Sequence, residues 1–128
     1  MLHREVDYLR TAEEITALIK QSTGTGQYHK YAPFSSYPVI TDGVKAIMEA
    51  ADCAWFLDII GSWQTRSKKL DPHFQVWTLK VKDDGSAVVR GYNDTERIIT
   101  QKVKMTDFPL PDFKVYLIDG VILLPNEY

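Results

Sequence analysis

In Phe74-Gln-Val-Trp-Thr-Leu-Lys-Val81 hydrophobic residues begin to alternate with a period of two, which predicts a β-strand. One face of the predicted strand carries Gln75, Trp77, Leu79 and Val81, and the other carries Phe74, Val76 and Thr78. Helical spacing of apolar residues ends before Phe74. The stretch therefore marks the point where the chain changes from helices to strands.

The first of three helices predicted upstream begins at Thr11. The pattern Thr11-Ala-Glu-Glu14 is a capping box, in which Glu14 stands three residues after the cap. We expect this helix to end near Ser22, with Gly24 as a left-handed cap. In the second helix Thr41 or Asp42 is the cap, and the apolar positions are Val44, Ile47, Met48 and Ala51.

The third predicted helix follows Asp52, which we expect to cap it. Its apolar stripe consists of Trp55, Phe56, Ile59, Ile60 and Trp63. Basic side chains at Arg66, Lys68 and Lys69 suit the negative end of the helix dipole. Asp71-Pro72 then ends the helical region.

Further strands are predicted after Val81, over residues 87–92, 97–105, 113–118 and 121–124. Turns are indicated at Asp84-Gly85, Asn93-Asp94 and Asp119-Gly120, the last as a two-residue hairpin of type I′. We therefore predict an α+β fold in which three N-terminal helices pack on one face of a C-terminal antiparallel sheet of about five strands. We expect residues 1–128 to form one domain, with an N-terminal arm over 1–10 and a long aromatic loop over 23–40.

The composition limits the class of protein. The 128 residues are 45% hydrophobic and 25% charged, which excludes a disordered chain or a collagen-like repeat. Fifteen Lys and Arg against 17 Asp and Glu give a net charge of −2, which disfavours nucleic acid as a partner. A single cysteine, Cys53, together with the lack of a leader or a membrane-spanning run, favours a cytoplasmic protein without membrane contact.

Six segments in order resemble a known family. They are Thr23-Gly-Thr-Gly-Gln-Tyr28, Thr41-Asp-Gly-Val44, Ala54-Trp-Phe-Leu-Asp-Ile-Ile60 with Ser62-Trp-Gln64, Phe74-Gln-Val-Trp-Thr-Leu79, Thr106-Asp-Phe-Pro-Leu110 and Leu123-Leu-Pro-Asn-Glu-Tyr128. The chain is similar over roughly residues 20–128 to short single-domain proteins of bacteria and phages that are known only as a domain of unknown function. The resemblance implies a self-contained domain, often carried by phages or other mobile elements, and it transfers no catalytic residue.

The sequence predicts no catalytic, cofactor or metal site. The glycines of Thr23-Gly-Thr-Gly-Gln27 follow a helix and lead into a loop, whereas a phosphate-binding loop follows a strand and opens into a helix. Cys53 adjoins an apolar stripe and is expected to be buried and inert. The histidines His3, His29 and His73 lack the spacing of zinc ligands.

Aromatic residues of the 23–40 loop are the best candidates for a binding surface. Tyrosine and tryptophan are enriched at recognition sites, although they also serve to hold a loop on the core. For Tyr28, Tyr31 and Tyr37 both roles stay open, whereas Trp55 and Trp77 are expected in the core. The candidate binding residues are Tyr28, His29, Tyr31, Tyr37, Asp58, Trp63 and Arg66.

Three functions are compatible with these residues. The favoured one is a non-enzymatic interaction protein that modulates a host protein. The second is a small-ligand binder or a small enzyme, with Asp58, His29 and Tyr28 around a pocket under the 23–40 loop. The third is a weak nucleic-acid binder that uses basic residues 66–69 together with the strand lysines Lys80, Lys82, Lys102 and Lys104. A homodimer is also possible if residues 121–124 form an apolar edge strand.

Overall fold

The computed structural model describes residues 11–34 and 36–128, which form an α+β structure. Three helices lie before residue 67: α1 (Ala12–Gln21), α2 (Asp42–Ala51) and α3 (Ala54–Arg66). Thr11 and Glu14 form the expected capping box, and Thr41 caps α2 by accepting a hydrogen bond from the amide of Val44. The proposed arm over residues 1–10 lies outside the described residues.

The sheet has seven strands among the described residues, and not about five. They are β1 (Tyr28–His29), β2 (Val39–Thr41), β3 (Gln75–Val81), β4 (Ala87–Asn93), β5 (Glu96–Val103), β6 (Asp112–Ile118) and β7 (Val121–Leu123), and a short 3₁₀ helix (Pro125–Glu127) follows. Their spatial order is β1-β2-β7-β6-β3-β4-β5. Only the β2–β7 pair is parallel, so the sheet is mixed but mostly antiparallel.

The two additional strands lie in the segment that we predicted to be a loop. β1 and β2 contain five residues together, too few to show an alternating pattern. Their addition corrects a second expectation, that residues 121–124 form an edge strand. β7 pairs with β2 on one side and β6 on the other, so it is an interior strand and offers no edge to a second copy.

The core lies between the helices and one face of the sheet. Trp77 and Leu79 of β3 are fully buried, as are Phe56 and Ile60 of α3. These side chains belong to one continuous hydrophobic cluster, which also contains Ile122 of β7. The alternation read from Phe74 to Val81 therefore assigned the buried face of β3 correctly.

Two helix boundaries differ from the prediction. Asp52 does not cap α3, because it is the left-handed C-cap of α2, with φ 51° and ψ 51°. Cys53 stands at the N-cap of α3 and makes no capping hydrogen bond with its side chain. Gly24 is also not a left-handed cap, since Ser22 ends α1 with φ −87°. The predicted hairpin turn is confirmed, because Asp119 and Gly120 both have positive φ.

Candidate functional site

The segment between β1 and β2 packs on α3 through two tyrosines. A Cβ on Gly61 would lie 2.7 Å from the Tyr31 hydroxyl and would overlap the Tyr37 ring, so only glycine allows these rings so close to the helix. The Tyr31 hydroxyl donates a hydrogen bond to the carbonyl of Leu57 at 2.9 Å. Tyr31 and Tyr37 therefore hold this segment on the helix, which was one of the two roles considered for them.

Burial raises the pKa of Tyr31 well above its ordinary value of 10, and the nearby Asp58 carboxylate raises it further. The phenol consequently stays protonated and keeps donating to Leu57 at neutral pH. Tyr31 is thus a fixed donor, and it does not supply a base for proton transfer.

A groove lies beside these tyrosines. It has a volume of about 530 Å³ and is lined by Tyr31, Ala32, Pro33, Phe34, Tyr37, Asp58, Ile59 and Ser62. We call it the aromatic groove. Phe34 is 57% exposed on its rim, and the Phe34 and Tyr37 ring centroids are 5.0 Å apart. Asp58 is exposed on the α3 side, so the groove combines apolar rings with a single accessible carboxylate.

The aromatic groove gathers only part of the candidate set. Tyr31, Tyr37 and Asp58 line it, whereas Tyr28 and His29 do not. Trp63 and Arg66 are also absent from its lining. The Arg66 guanidinium stacks on the Trp63 ring at 3.9 Å from the centroid, and the Trp63 indole donates to Gln101 of β5 at 2.8 Å.

His29 belongs to a second polar cluster, at the start of α2. Its Nε2 atom lies 2.7 Å from one carboxylate oxygen of Asp42. The other oxygen accepts hydrogen bonds from the amides of Gly26 and Gln27, at 2.8 and 3.3 Å. The Asp42 amide donates in turn to the Thr25 hydroxyl. These bonds join the glycine-containing loop to α2. They account for the position of the loop, which needs no bound phosphate to hold it there.

The hydrogen bond with His29, followed by those from Gly26 and Gln27, lowers the pKa of Asp42 from 3.8 to about 2. A folded-state pKa below the unfolded one contributes stability above the unfolded pKa, and this contribution is lost as the pH falls from about 4 to about 2. By carbon-detected NMR we expect the Asp42 carboxyl to titrate near pH 2 in the wild type and closer to pH 3.8 in His29→Ala. Asp84, whose pKa is lowered by Ser86, should be unchanged in that variant. An ordinary Asp42 midpoint in the wild type would contradict this prediction.

Glu127 of the 3₁₀ helix is a structural residue that the sequence did not reveal. Its carboxylate accepts hydrogen bonds from the Thr41 hydroxyl at 2.7 Å, the Leu124 amide at 2.9 Å and the Gly43 amide at 3.2 Å. Gly43 is close-packed here, because a Cβ would lie 2.8 Å from the Glu127 carboxylate. Gly43 and Thr41 are 84 and 86 residues before Glu127 in the chain, so no local sequence pattern indicates this contact.

The remaining titratable candidates do not form a reactive centre. Cys53 is buried, and burial raises the pKa of its thiol to about 12, so it is not an activated nucleophile. His73 pairs with Asp119 at an exposed turn, and His29 pairs with Asp42, so these histidines have separate partners. Within residues 11–34 and 36–128, no three His, Cys, Asp or Glu side chains are placed to hold a metal ion.

The fold and the groove define a small α+β protein with an exposed aromatic surface. The chain belongs to a family described as "Family of unknown function (DUF6876)", whose model matches residues 13–128. This confirms the resemblance found in the six sequence segments. No curated protein and no solved structure is significantly similar to the chain. In the described part of the chain, every helix is too short or too polar to cross a bilayer.

Proposed function

We propose that this protein is a non-enzymatic interaction module that binds a segment of another protein in the aromatic groove. The observation that carries the proposal is the exposure of Phe34 in a groove that is also lined by Ile59 of α3. Large exposed rings beside a depression are typical of recognition surfaces. The loop beneath them is held firmly, since Tyr31 and Tyr37 pack on Gly61. A surface fixed in this way loses little conformational entropy on binding.

The chemistry of the groove specifies the kind of segment. Apolar contact is offered by Phe34 and Ile59, and Asp58 supplies the negative charge. A peptide with an apolar or aromatic side chain next to Lys or Arg is complementary to that lining. The tyrosine rings also favour a cation, through cation–π attraction.

The biological setting follows from the resemblance and not from the groove. Related short proteins are often carried by phages or mobile elements, so we propose that the bound partner is a host protein in the cytoplasm. A small enzyme has less support. His29 and Tyr28, which it would place with Asp58, are not part of the groove.

Selection from a random peptide display library tests the binding proposal without knowledge of the partner. We expect the immobilised protein to enrich peptides that combine apolar and basic residues. In calorimetric titrations Phe34→Ala should lower the affinity for a selected peptide by about tenfold or more, as expected for a central anchor. Asp58→Asn should weaken it by about threefold to tenfold, with a smaller effect at high salt.

Matched controls replace equally exposed residues on a different surface. Met105 is 68% exposed and Asp107 is also exposed, and neither lines the aromatic groove. Met105→Ala and Asp107→Asn should bind the peptide as the wild type does. Failure to enrich any peptide, or enrichment of peptides that bind Phe34→Ala and Asp58→Asn with unchanged affinity, would refute the proposal.

A further inference from the structure

The sheet face opposite the core carries a strong excess of positive charge. Residues that are directly opposed on neighbouring strands share a face, so the strand register identifies this surface. Its charged residues on β3 to β6 are Lys80, Arg90, Arg97, Lys102, Lys114 and Asp112. We call this surface the open face. Five cations and one carboxylate thus lie on one face of a chain with a net charge of −2. The total charge averages over both faces and hides this separation.

Arg90 at the centre of the open face is not satisfied by the described residues. Its Nε atom is buried and has no hydrogen-bond partner there. A buried guanidinium nitrogen without an acceptor is costly, and nearly all such groups in proteins are paired. Lys80 pairs with Asp112 at 3.1 Å, so the one carboxylate that β3 to β6 place on this face is already engaged. Arg90 therefore has a donor that no described residue uses, and an anion bound at this guanidinium would supply a further acceptor.

The surroundings of Arg90 form a binding surface with both cationic and aromatic groups. A depression of about 330 Å³ is lined by Thr78, Leu79, Lys80, Arg90, Tyr92, Asp112, Phe113 and Lys114. In the next row across the sheet, Tyr92 and Tyr116 flank Val76. Tyr116 also contacts Phe74 and Tyr128, with centroids 5.5 and 5.6 Å away, and Tyr128 is 78% exposed.

We propose that the open face binds single-stranded nucleic acid. Backbone phosphates would contact Arg90, Lys102 and Lys114, and bases would stack on Tyr92 and Tyr116. Phosphate is the anion that suits the planar guanidinium of Arg90, which donates in a fork. Sheet-borne aromatic rings beside cations are the usual platform for unpaired bases, whose faces are accessible only in a single strand. The rings favour nucleic acid over an acidic peptide, which would use the cations alone.

Fluorescence anisotropy with a labelled single strand of about 20 nucleotides tests this proposal on the full chain. At about 50 mM salt we expect binding, and Lys102→Gln/Lys114→Gln should weaken it by about tenfold or more. The slope of log affinity against log salt should also become shallower by about 1.4, since each lost contact to a single strand removes about 0.7. Tyr92→Leu should weaken binding by about fivefold to a hundredfold, from lost stacking.

Two matched variants distinguish the open face from other basic or aromatic parts of the molecular surface. Lys68→Gln/Lys69→Gln removes the same charge from the basic 66–69 run, and Tyr28→Leu removes a ring that is 62% exposed elsewhere. Both should bind within about twofold of the wild type. Circular dichroism and thermal melting establish that each variant is folded.

The proposal fails if the wild type does not bind at low salt, or if the two lysine pairs weaken binding equally. It also fails if Tyr92→Leu binds as tightly as the wild type. Equally tight binding of duplex DNA, or of polyglutamate at matched charge, would show that the face attracts polyanions without using its rings.

Discussion

Gln75→Leu should destabilise the protein by about 2–4 kcal/mol, although it replaces a buried polar side chain by an apolar one of similar size. Gln75 is fully buried on β3, an interior strand of the sheet. Its amide oxygen accepts from the indole of Trp77 at 2.8 Å and from Gln64 at 2.9 Å. Its amide nitrogen donates to Gln64 and to the carbonyl of Asp71, both at 2.9 Å. Leucine would leave the Trp77 indole, which is also fully buried, without an acceptor.

Denaturant unfolding followed by fluorescence measures this effect, and Gln101→Leu is the matched control. Gln101 also accepts from a tryptophan, Trp63, but on the edge strand β5, where the groups are only partly buried. Water can replace the lost acceptor there, so the expected cost is about 1 kcal/mol. Gln75→Leu/Trp77→Phe removes the unpaired donor and should be less destabilised than the sum of its single changes. Equal costs for Gln75→Leu and Gln101→Leu would contradict this account.

This network shows what sequence periodicity can and cannot reveal. Alternation placed Gln75 on the buried face with Trp77 and Leu79, and that assignment is confirmed. It did not reveal the partners of Gln75, because Gln64 is on α3 and the Asp71 carbonyl is in a connection. A periodic pattern reports which side of an element is covered. Side-chain hydrogen bonds depend on how separate elements meet.

The five-strand prediction was wrong for a related physical reason. β1 and β2 are short and exist as strands because β2 pairs with β7, which is distant in the chain. Local sequence carries little information on such pairing, and the same pairing turned the presumed edge strand into an interior one. Residues with a local signature were predicted well: the capping box at Thr11 and the turn at Asp119-Gly120 are both present.

Part of the candidate site could be predicted from the sequence, because aromatic residues are concentrated in one segment. The aromatic richness of residues 23–40 indicated a segment held on the domain, and Tyr31 and Tyr37 lie on α3 as expected of such a segment. The sequence could not separate His29 from Asp58, because only the chain path directs His29 to Asp42. The sequence named two lysines of the open face, Lys80 and Lys102, but it did not show that they share a face with Arg90, because net charge discards that information.

The two proposed surfaces have independent tests, because they use different residues. The aromatic groove is built from α3 and the segment before β2, whereas the open face is built from β3 to β6. A change at Phe34 should therefore leave nucleic-acid affinity unchanged, and a change at Lys114 should leave peptide affinity unchanged. A result that contradicts one proposal therefore does not contradict the other.

Gly61→Ala should destabilise the protein by about 1–3 kcal/mol, although helix propensity alone predicts stabilisation. Within a helix, alanine is favoured over glycine by about 1 kcal/mol, so propensity alone predicts a gain. In α3, however, the added methyl would lie 2.7 Å from the Tyr31 hydroxyl and would overlap the Tyr37 ring. These rings must move away from the helix, which breaks the hydrogen bond from Tyr31 to Leu57. Thr65→Ala, at an exposed position of α3, is the control: it loses only the hydrogen bond from its hydroxyl to the Ser62 carbonyl, so helix propensity should dominate its effect.

The same substitution links the fold to the proposed function, because the displaced rings also line the aromatic groove. Gly61→Ala should lower the affinity for a peptide that binds the aromatic groove by about tenfold, while the affinity for single-stranded nucleic acid should be unchanged. Ultraviolet titration gives a further measure: release of Tyr31 from burial should bring the pKa of its phenol down toward 10. Above about pH 10 the wild type should lose stability, because the Tyr31 phenol ionises in the unfolded chain more readily than in the folded protein. This loss should be less steep in the variant. A stabilised Gly61→Ala protein with unchanged tyrosine titration would mean that the segment before β2 does not pack on α3.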